Sequence, residues 1–266
     1  MSSIRGLVAD VVPSSVVDGP GNRYVVFLQG CGFNCLACHN PHTISRHPVG
    51  EARWAEVDEL VADLAEVAPF LSGVTVSGGE ATGQWEFVRD LFVAVRAAPA
   101  TAGLTTLVDS NGDAPVRVWD ALAPVTDGVM VDLKAMDPDV HRWLTSRDNS
   151  SVLRSVEHLA AIGKLDEVRV LVIPTVNDGA DALARTAAFL AGVDPDVRVT
   201  LLAFRHDGAR PAGHRLPEAT TADLERAATL LVEHGLSGGS VRLGWQPPQA
   251  DGGVAPARPV VVRSTR

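Results

Sequence analysis

Apolar positions along this chain change period repeatedly, and each change marks an element. Leu7, Ala9 and Val11 alternate with Val8, Asp10 and Val12, which predicts a short hairpin or edge strand within residues 1–22. Asp18-Gly19-Pro20-Gly21 is a turn signal. Tyr24 to Gln29 is then an apolar run of buried-strand length that ends at the first cysteine, Cys31. Helical spacing at Val57, Leu60, Val61, Leu64 and Val67 leads into a short apolar run, Val74 to Val76. The same pairing recurs. Helix Trp85 to Ala98 precedes strand Leu104 to Val108, and helix Pro115 to Ala123 precedes strand Gly128 to Leu133. Helix Val152 to Ile162 precedes strand Val168 to Ile173, and helix Ala180 to Ala191 precedes strand Val197 to Ala203. Thr221 to His234 reads as a last amphipathic helix.

Such alternation predicts an α/β fold with a parallel sheet and outer helices, as a full or partial β/α barrel or a doubly wound sheet. Residues 1–245 form the predicted domain. Residues 246–266, rich in Pro, Gly and Ala, predict a loosely ordered tail in which Val260 to Val262 is the one stretch suited to a short strand.

Polar residues collect where the strands end. Cys31 follows the first, Ser77-Gly78-Gly79-Glu80 the second and Asp109-Ser110-Asn111-Gly112 the third. Asp132-Leu133-Lys134 closes the fourth, Pro174-Thr175-Val176-Asn177-Asp178 follows the fifth, and Arg205-His206-Asp207-Gly208 the sixth. In a β/α barrel these ends share one face, so six separate segments are predicted to meet at one mouth.

Composition narrows the partners. A net charge of −9 without a lysine or arginine cluster counts against a nucleic-acid backbone. The absence of a long apolar run or a signal-peptide pattern counts against a membrane and predicts a cytoplasmic protein. All 3 cysteines, Cys31, Cys35 and Cys38, lie within one short segment, which is no disulfide framework and reads as a metal-thiolate site in a reducing compartment. A loop of this spacing can wrap one corner of an iron–sulfur cubane, ligate three irons and leave the fourth open. Structural zinc with His39 as fourth ligand is the competing reading, although no second ligand pair exists and His39 adjoins Cys38.

The stretch from Asp18 through Cys31-Gly-Phe-Asn-Cys35-Leu-Ala-Cys38 to Pro41 resembles the cluster loop of radical S-adenosylmethionine (SAM) enzymes, specifically the glycyl-radical-enzyme activating enzymes of the pyruvate formate-lyase activating type. The resemblance extends over roughly residues 5 to 240. It implies a laterally open, partial (β/α)6 barrel and one [4Fe–4S] cluster on Cys31, Cys35 and Cys38, with SAM as co-substrate. It also implies reductive cleavage of SAM to a 5′-deoxyadenosyl radical, which abstracts a glycine hydrogen from a partner glycyl-radical enzyme. A flavodoxin- or ferredoxin-type protein would supply the electron.

By the same resemblance, Gly78, Gly79 and Glu80 hold the SAM amino group, while Asp109, Ser110, Met130 and Asp132 surround a monovalent cation near its carboxylate. Of 23 basic residues only Lys134 and Lys164 are lysines, which suggests a point-charge role for Lys134 toward the SAM carboxylate. Arg169 and His206 fall where contacts to SAM or substrate are implied. Three positions depart from the pattern. Ala37 stands in place of an aromatic residue, Ala81 in place of proline, and Arg205 aligns with the usual histidine, leaving His206 one place late. Modification of a small molecule or peptide is the alternative activity, and a non-enzymatic metal-binding module is the remaining rival.

Overall fold

The protein is described by a computed structural model that covers residues 4–244. The 246–266 tail, with Val260 to Val262, lies outside the described residues. The nine strands among the described residues are β1 (Arg5–Ser15), β2 (Arg23–Leu28), β3 (Arg53–Glu56), β4 (Gly73–Gly78), β5 (Thr105–Ser110), β6 (Gly128–Leu133), β7 (Leu165–Val172), β8 (Val199–Ala203) and β9 (Val241–Leu243). They form one sheet in the order β3-β1-β2-β4-β5-β6-β7-β8-β9. From β2 to β9 every neighbouring pair is parallel, whereas β1 pairs antiparallel with both β2 and β3. The sheet is open, with β3 and β9 as its edges. It is the partial barrel expected, with a seventh parallel strand, β9, beyond the six.

Outside the sheet lie α1 (Val57–Val67), α2 (Trp85–Ala97), α3 (Val116–Leu122), α4 (Pro138–Thr145), α5 (Ser150–Ala161), α6 (Ala180–Val193) and α7 (Thr221–Glu233). Their buried stripes, such as Phe87, Leu91 and Phe92 of α2, pack on strand residues such as Val26, Val76 and Val108 in one continuous core. Trp119 is fully buried on α3 and donates from Nε1 to Ser155 Oγ of α5 at 2.8 Å. Truncating it costs about 3–5 kcal/mol at sites of this kind.

The two ends of the barrel differ. At the N-terminal strand ends Arg23 is fully buried and donates to Thr75 Oγ1 and the Val74 carbonyl, both at 2.6 Å, and to Thr105 Oγ1 at 3.0 Å. Burial lowers its pKa to about 10. This guanidinium ties the N-terminal ends of β2, β4 and β5 together.

Three elements have no counterpart in the sequence reading. Strand β3 is four residues long with three of them exposed, and β9 is three residues long, so neither carries a readable period. Helix α4 starts on a local signal: Asp137 accepts from Asp139 N at 3.0 Å and Val140 N at 3.1 Å, and Pro138 opens the first turn. The N-terminal extension is a single 11-residue strand rather than a short hairpin, because β2 and β3 flank it on either side.

Candidate active site

At the C-terminal strand ends a cavity of about 200 Å³ is lined by Cys31, Cys35 and Cys38, by Ser77, Gly78 and Gly79, by Asp109, Ser110 and Asn111, and by Asp132 and Lys134. Four of the six predicted segments therefore meet there. The fifth and sixth strands contribute Leu171 and Leu202 instead of their loops.

The cysteine loop is fixed by its backbone. Gly30 N donates to Thr43 O at 2.7 Å and Cys31 N to Ile44 O at 3.1 Å. Farther along, Asn34 N and Leu36 N donate to the Thr145 and Leu144 carbonyls at the end of α4. Burial pushes the Cys31 thiol up to about 12 and Cys35 up to about 11, and raises Cys38 as well. Lys134 opposes this at Cys35 and Cys38. Thiols held this far above neutrality ionise only against a strong positive partner, which is what a metal centre supplies. Among the described residues no three His, Cys, Asp or Glu side chains are placed to share one metal ion. One ion shared by Cys31, Cys35, Cys38 and His39 asks for that convergence, whereas a cubane gives each thiolate its own iron.

The Gly78-Gly79 pair is crowded by backbone. A Cβ on Gly79 would lie 2.4 Å from the Gly30 oxygen and 2.6 Å from the Thr43 oxygen. The pair thus lets the loop after β4 lie directly against the cysteine loop, with its backbone facing the cavity. Glu80 points elsewhere and does not line this cavity. Its Oε1 accepts from Thr82 N at 2.9 Å, Thr82 Oγ1 at 2.6 Å and Ser110 Oγ at 2.7 Å, and its Oε2 from Asn111 N at 2.8 Å. Burial raises its pKa against the pull of those donors. Glu80 braces the loop after β5 and so sets Asn111, whose Nδ2 lies 3.6 Å from Cys31 Sγ.

Lys134 Nζ sits 2.8 Å from Asp132 Oδ2 in the cavity wall. Burial lowers the Lys134 pKa, but Asp132 and the two nearby cysteines outweigh it and leave the ammonium firmly charged. Asn177, from the loop after β7, steadies this residue by donating to the Lys134 carbonyl at 2.8 Å and the Leu171 carbonyl at 2.6 Å. Asp109 accepts from Ser77 Oγ at 2.8 Å and pairs with Arg169 Nη1 at 3.2 Å. Burial lifts Asp109 to about 6, against the pull of Arg169.

Arg169 and Met130 do not line the cavity. Arg169 Nη2 contacts Met130 Sδ at 3.0 Å, and Met130 is fully buried beneath the wall. The guanidinium thus already occupies one side of the proposed cation ligands. His206 is also placed outside. Its Nε2 lies 2.7 Å from the Leu216 carbonyl, and its ring stacks on His214. Ala37 lines the cavity and packs with Leu144, Phe204 and Leu216 in a small apolar cluster under the cysteine loop. The sequence reading singled out neither Asn177 nor Asn111 as a site residue, although both lie in segments it placed at the mouth.

The family model described as Radical SAM superfamily matches residues 25–187. Pyruvate formate-lyase 1-activating enzyme of Escherichia coli strain K12 is 35% identical over 214 residues, spanning 77% of this chain and 83% of its own. Pyruvate formate-lyase-activating enzyme of Staphylococcus epidermidis is 31% identical over 211 residues, with 77% and 83% covered. Among solved structures, QueE from Escherichia coli matches with a TM-score of 0.58 over 90% of this chain and 93% of its own, at 13% identity, which is a likeness of fold alone. No helix among the described residues is long and apolar enough to cross a membrane.

Proposed function

The chain belongs to the radical SAM superfamily, and on that premise we propose that it is an activating enzyme for a glycyl-radical enzyme, with a [4Fe–4S] cluster on Cys31, Cys35 and Cys38. The observation that carries this reading is the convergence of the three cysteines, the Gly78-Gly79 backbone and the Asp132–Lys134 pair on one cavity. A reduced cluster with SAM bound supplies a 5′-deoxyadenosyl radical able to take a hydrogen atom from glycine. The chain's own residues bind and orient. Lys134 offers a charged donor to the methionine carboxylate, and Asp132 aims it. The Ser77-to-Gly79 backbone offers carbonyls to the amino group, while Glu80 keeps that loop and the one after β5 in register. Of the four expected cation ligands, Asp109, Ser110 and Asp132 reach the cavity and are proposed to hold a monovalent cation beside the carboxylate, while Met130 lies behind the wall against Arg169. Leu171 and Leu202 keep water from the wall opposite. A flavodoxin- or ferredoxin-type protein is the proposed reductant, and the cytoplasm the proposed compartment.

The test is electron paramagnetic resonance of pyruvate formate-lyase, and of other candidate glycyl-radical enzymes, incubated anaerobically with this protein, SAM and reductant. A doublet with glycyl hyperfine splitting supports activation, and Cys35→Ser abolishes it. Release of 5′-deoxyadenosine without a doublet on any candidate redirects the reading to a small molecule or peptide, for which Ala37 in the cavity wall leaves altered room. One equivalent of zinc and no labile sulfide after anaerobic preparation refutes the cluster itself.

A further inference from the structure

Strands β2 and β8 stand far apart in the sheet, with β4, β5, β6 and β7 between them. Their loops nonetheless meet across the mouth. His39 Nε2 lies 2.9 Å from the Arg205 carbonyl, and Arg210 N donates to the Cys38 carbonyl at 3.0 Å. The Arg210 guanidinium reaches back over the same loop, where Nη1 donates to Asn34 Oδ1 at 2.5 Å and to the Cys35 carbonyl at 3.1 Å. Close approach is built into the sequence, since a Cβ on Gly213 would lie 2.7 Å from the Leu36 carbonyl oxygen. Below these contacts Ala37 packs against Phe204 and Leu216.

We infer that Arg210 is a positioning residue, which clamps the cysteine loop across the open side of the barrel and holds Cys35 and Cys38 in place for the cluster. The inference rests on the cluster reading above. Among the described residues no strand pairing joins β9 to β3, and no sheet hydrogen bond fixes the loop after β2 against the far wall. Thr43 and Ile44 hold the start of the loop at Gly30 and Cys31, and the end of α4 holds Asn34 and Leu36, while the segment 205–213 binds the carbonyls of Cys35 and Cys38. The guanidinium also places a positive charge near the Cys38 sulfur. Such a charge favours the reduced, more negative cluster and weakens with salt.

The test compares wild type with Arg210→Gln and Arg210→Lys. In Arg210→Gln, iron is expected to leave the reconstituted protein about five- to tenfold faster under a chelator, the size of one charge-assisted hydrogen bond lost at a half-exposed site. The cluster midpoint potential, read by redox titration with electron paramagnetic resonance, falls at the same time. Arg210→Lys keeps the charge and one donor, and restores most of both. Iron retention equal to wild type in Arg210→Gln overturns the inference. So does faster loss with an unchanged potential and an equally lowered melting temperature of the iron-free chain, which marks general destabilisation. If wild type takes up no iron, the cluster reading fails and the clamp is read separately, by hydrogen exchange of segment 34–39 in the iron-free full chain. Faster exchange in Arg210→Gln then supports the clamp, and unchanged exchange overturns it.

Discussion

Gly79→Ala separates two accounts of the paired glycines: room for a ligand's ammonium, or room for another backbone. An added Cβ would lie 2.4 Å from the Gly30 oxygen and 2.6 Å from the Thr43 oxygen, where ordinary contact begins at 3.4 Å. One backbone must therefore retreat by about 1 Å, because a close-packed interior offers no slack. Both obstacles are main-chain atoms, so no side chain can swing aside. Gly30 also immediately precedes Cys31 and is bonded through its own N to Thr43 O at 2.7 Å, so the shift passes into the cysteine loop. Overpacking of this kind costs about 2–3 kcal/mol, the upper part of the usual range. In a domain of this size that lowers the melting temperature by roughly 4–12 °C. A displacement of about 1 Å at a reacting centre costs on the order of 100-fold in rate. Gly83→Ala is the control, since nothing lies within 4 Å of its added Cβ. The measurements are melting temperature, iron per chain and 5′-deoxyadenosine released with dithionite. If Gly79→Ala matches Gly83→Ala in iron and melting temperature while SAM binding alone falls, the glycines serve only the ligand and the packing argument is wrong.

Lys134→Ala and Asp132→Ala are each expected to weaken SAM binding at least tenfold in anaerobic equilibrium dialysis with iron content unchanged. Lys134→Arg is expected to bind poorly as well, because a planar guanidinium does not fit where a compact ammonium sits. Asp109 gives a pH signature. Burial raises its pKa from 3.8 to about 6, so the protonated form is the one the fold favours. Its stabilising contribution is complete below pH 3.8 and is lost as pH rises through 6. The advantage of wild type over Asp109→Asn in urea unfolding should therefore shrink by on the order of 2 kcal/mol between pH 4 and pH 7, and a gap that stays constant would show that Arg169 fully offsets the burial.

Periodicity made the barrel legible because each core strand and helix buries a regular set of positions. Gly128–Leu133 and the helix from Trp85 stand where the pattern puts them, within a residue. The elements without a pattern are those whose neighbours define them: β3 at an edge, β9 beside β8, and α4 under the cysteine loop. In the site, residue type and strand-end position brought out Lys134, Asp132 and the cysteines. They said nothing of direction. Glu80 sits one residue past the cavity-lining glycines and turns into a nest of donors from Thr82, Ser110 and Asn111, while the loop bearing His206 is spent on its own carbonyls and on the cysteine loop. A tripeptide motif carries no record of which way its last side chain leaves the backbone. Contacts such as Arg210 to Asn34 join residues at a separation of 176 positions, and no local signal anticipates them.

The cavity wall is divided in a way that bears on how one small chain could manage a charged co-substrate and a radical together. The side built by β4, β5 and β6 carries Ser77, Asp109, Asp132 and Lys134, whose pairings are made within the wall itself. Charges already paired and buried need little reorganisation when a zwitterionic methionine arrives, and they exert their field in a medium that screens weakly. The side built by β7, β8 and α4 offers Leu171, Leu202 and Leu144, an apolar lining that disfavours water. On the proposed reading, the polar wall fixes the end of SAM that stays whole, and the apolar wall receives the end that reacts. The open edge of the sheet lies beyond that second wall, past β8 and β9. A glycine carried on another protein would approach over leucines rather than over the ion pairs, so the charge on the partner's loop matters less than its ability to shed water. The segment 205–213 binds the cysteine loop at that same side, through the Arg205 carbonyl to His39 and Arg210 N to the Cys38 carbonyl.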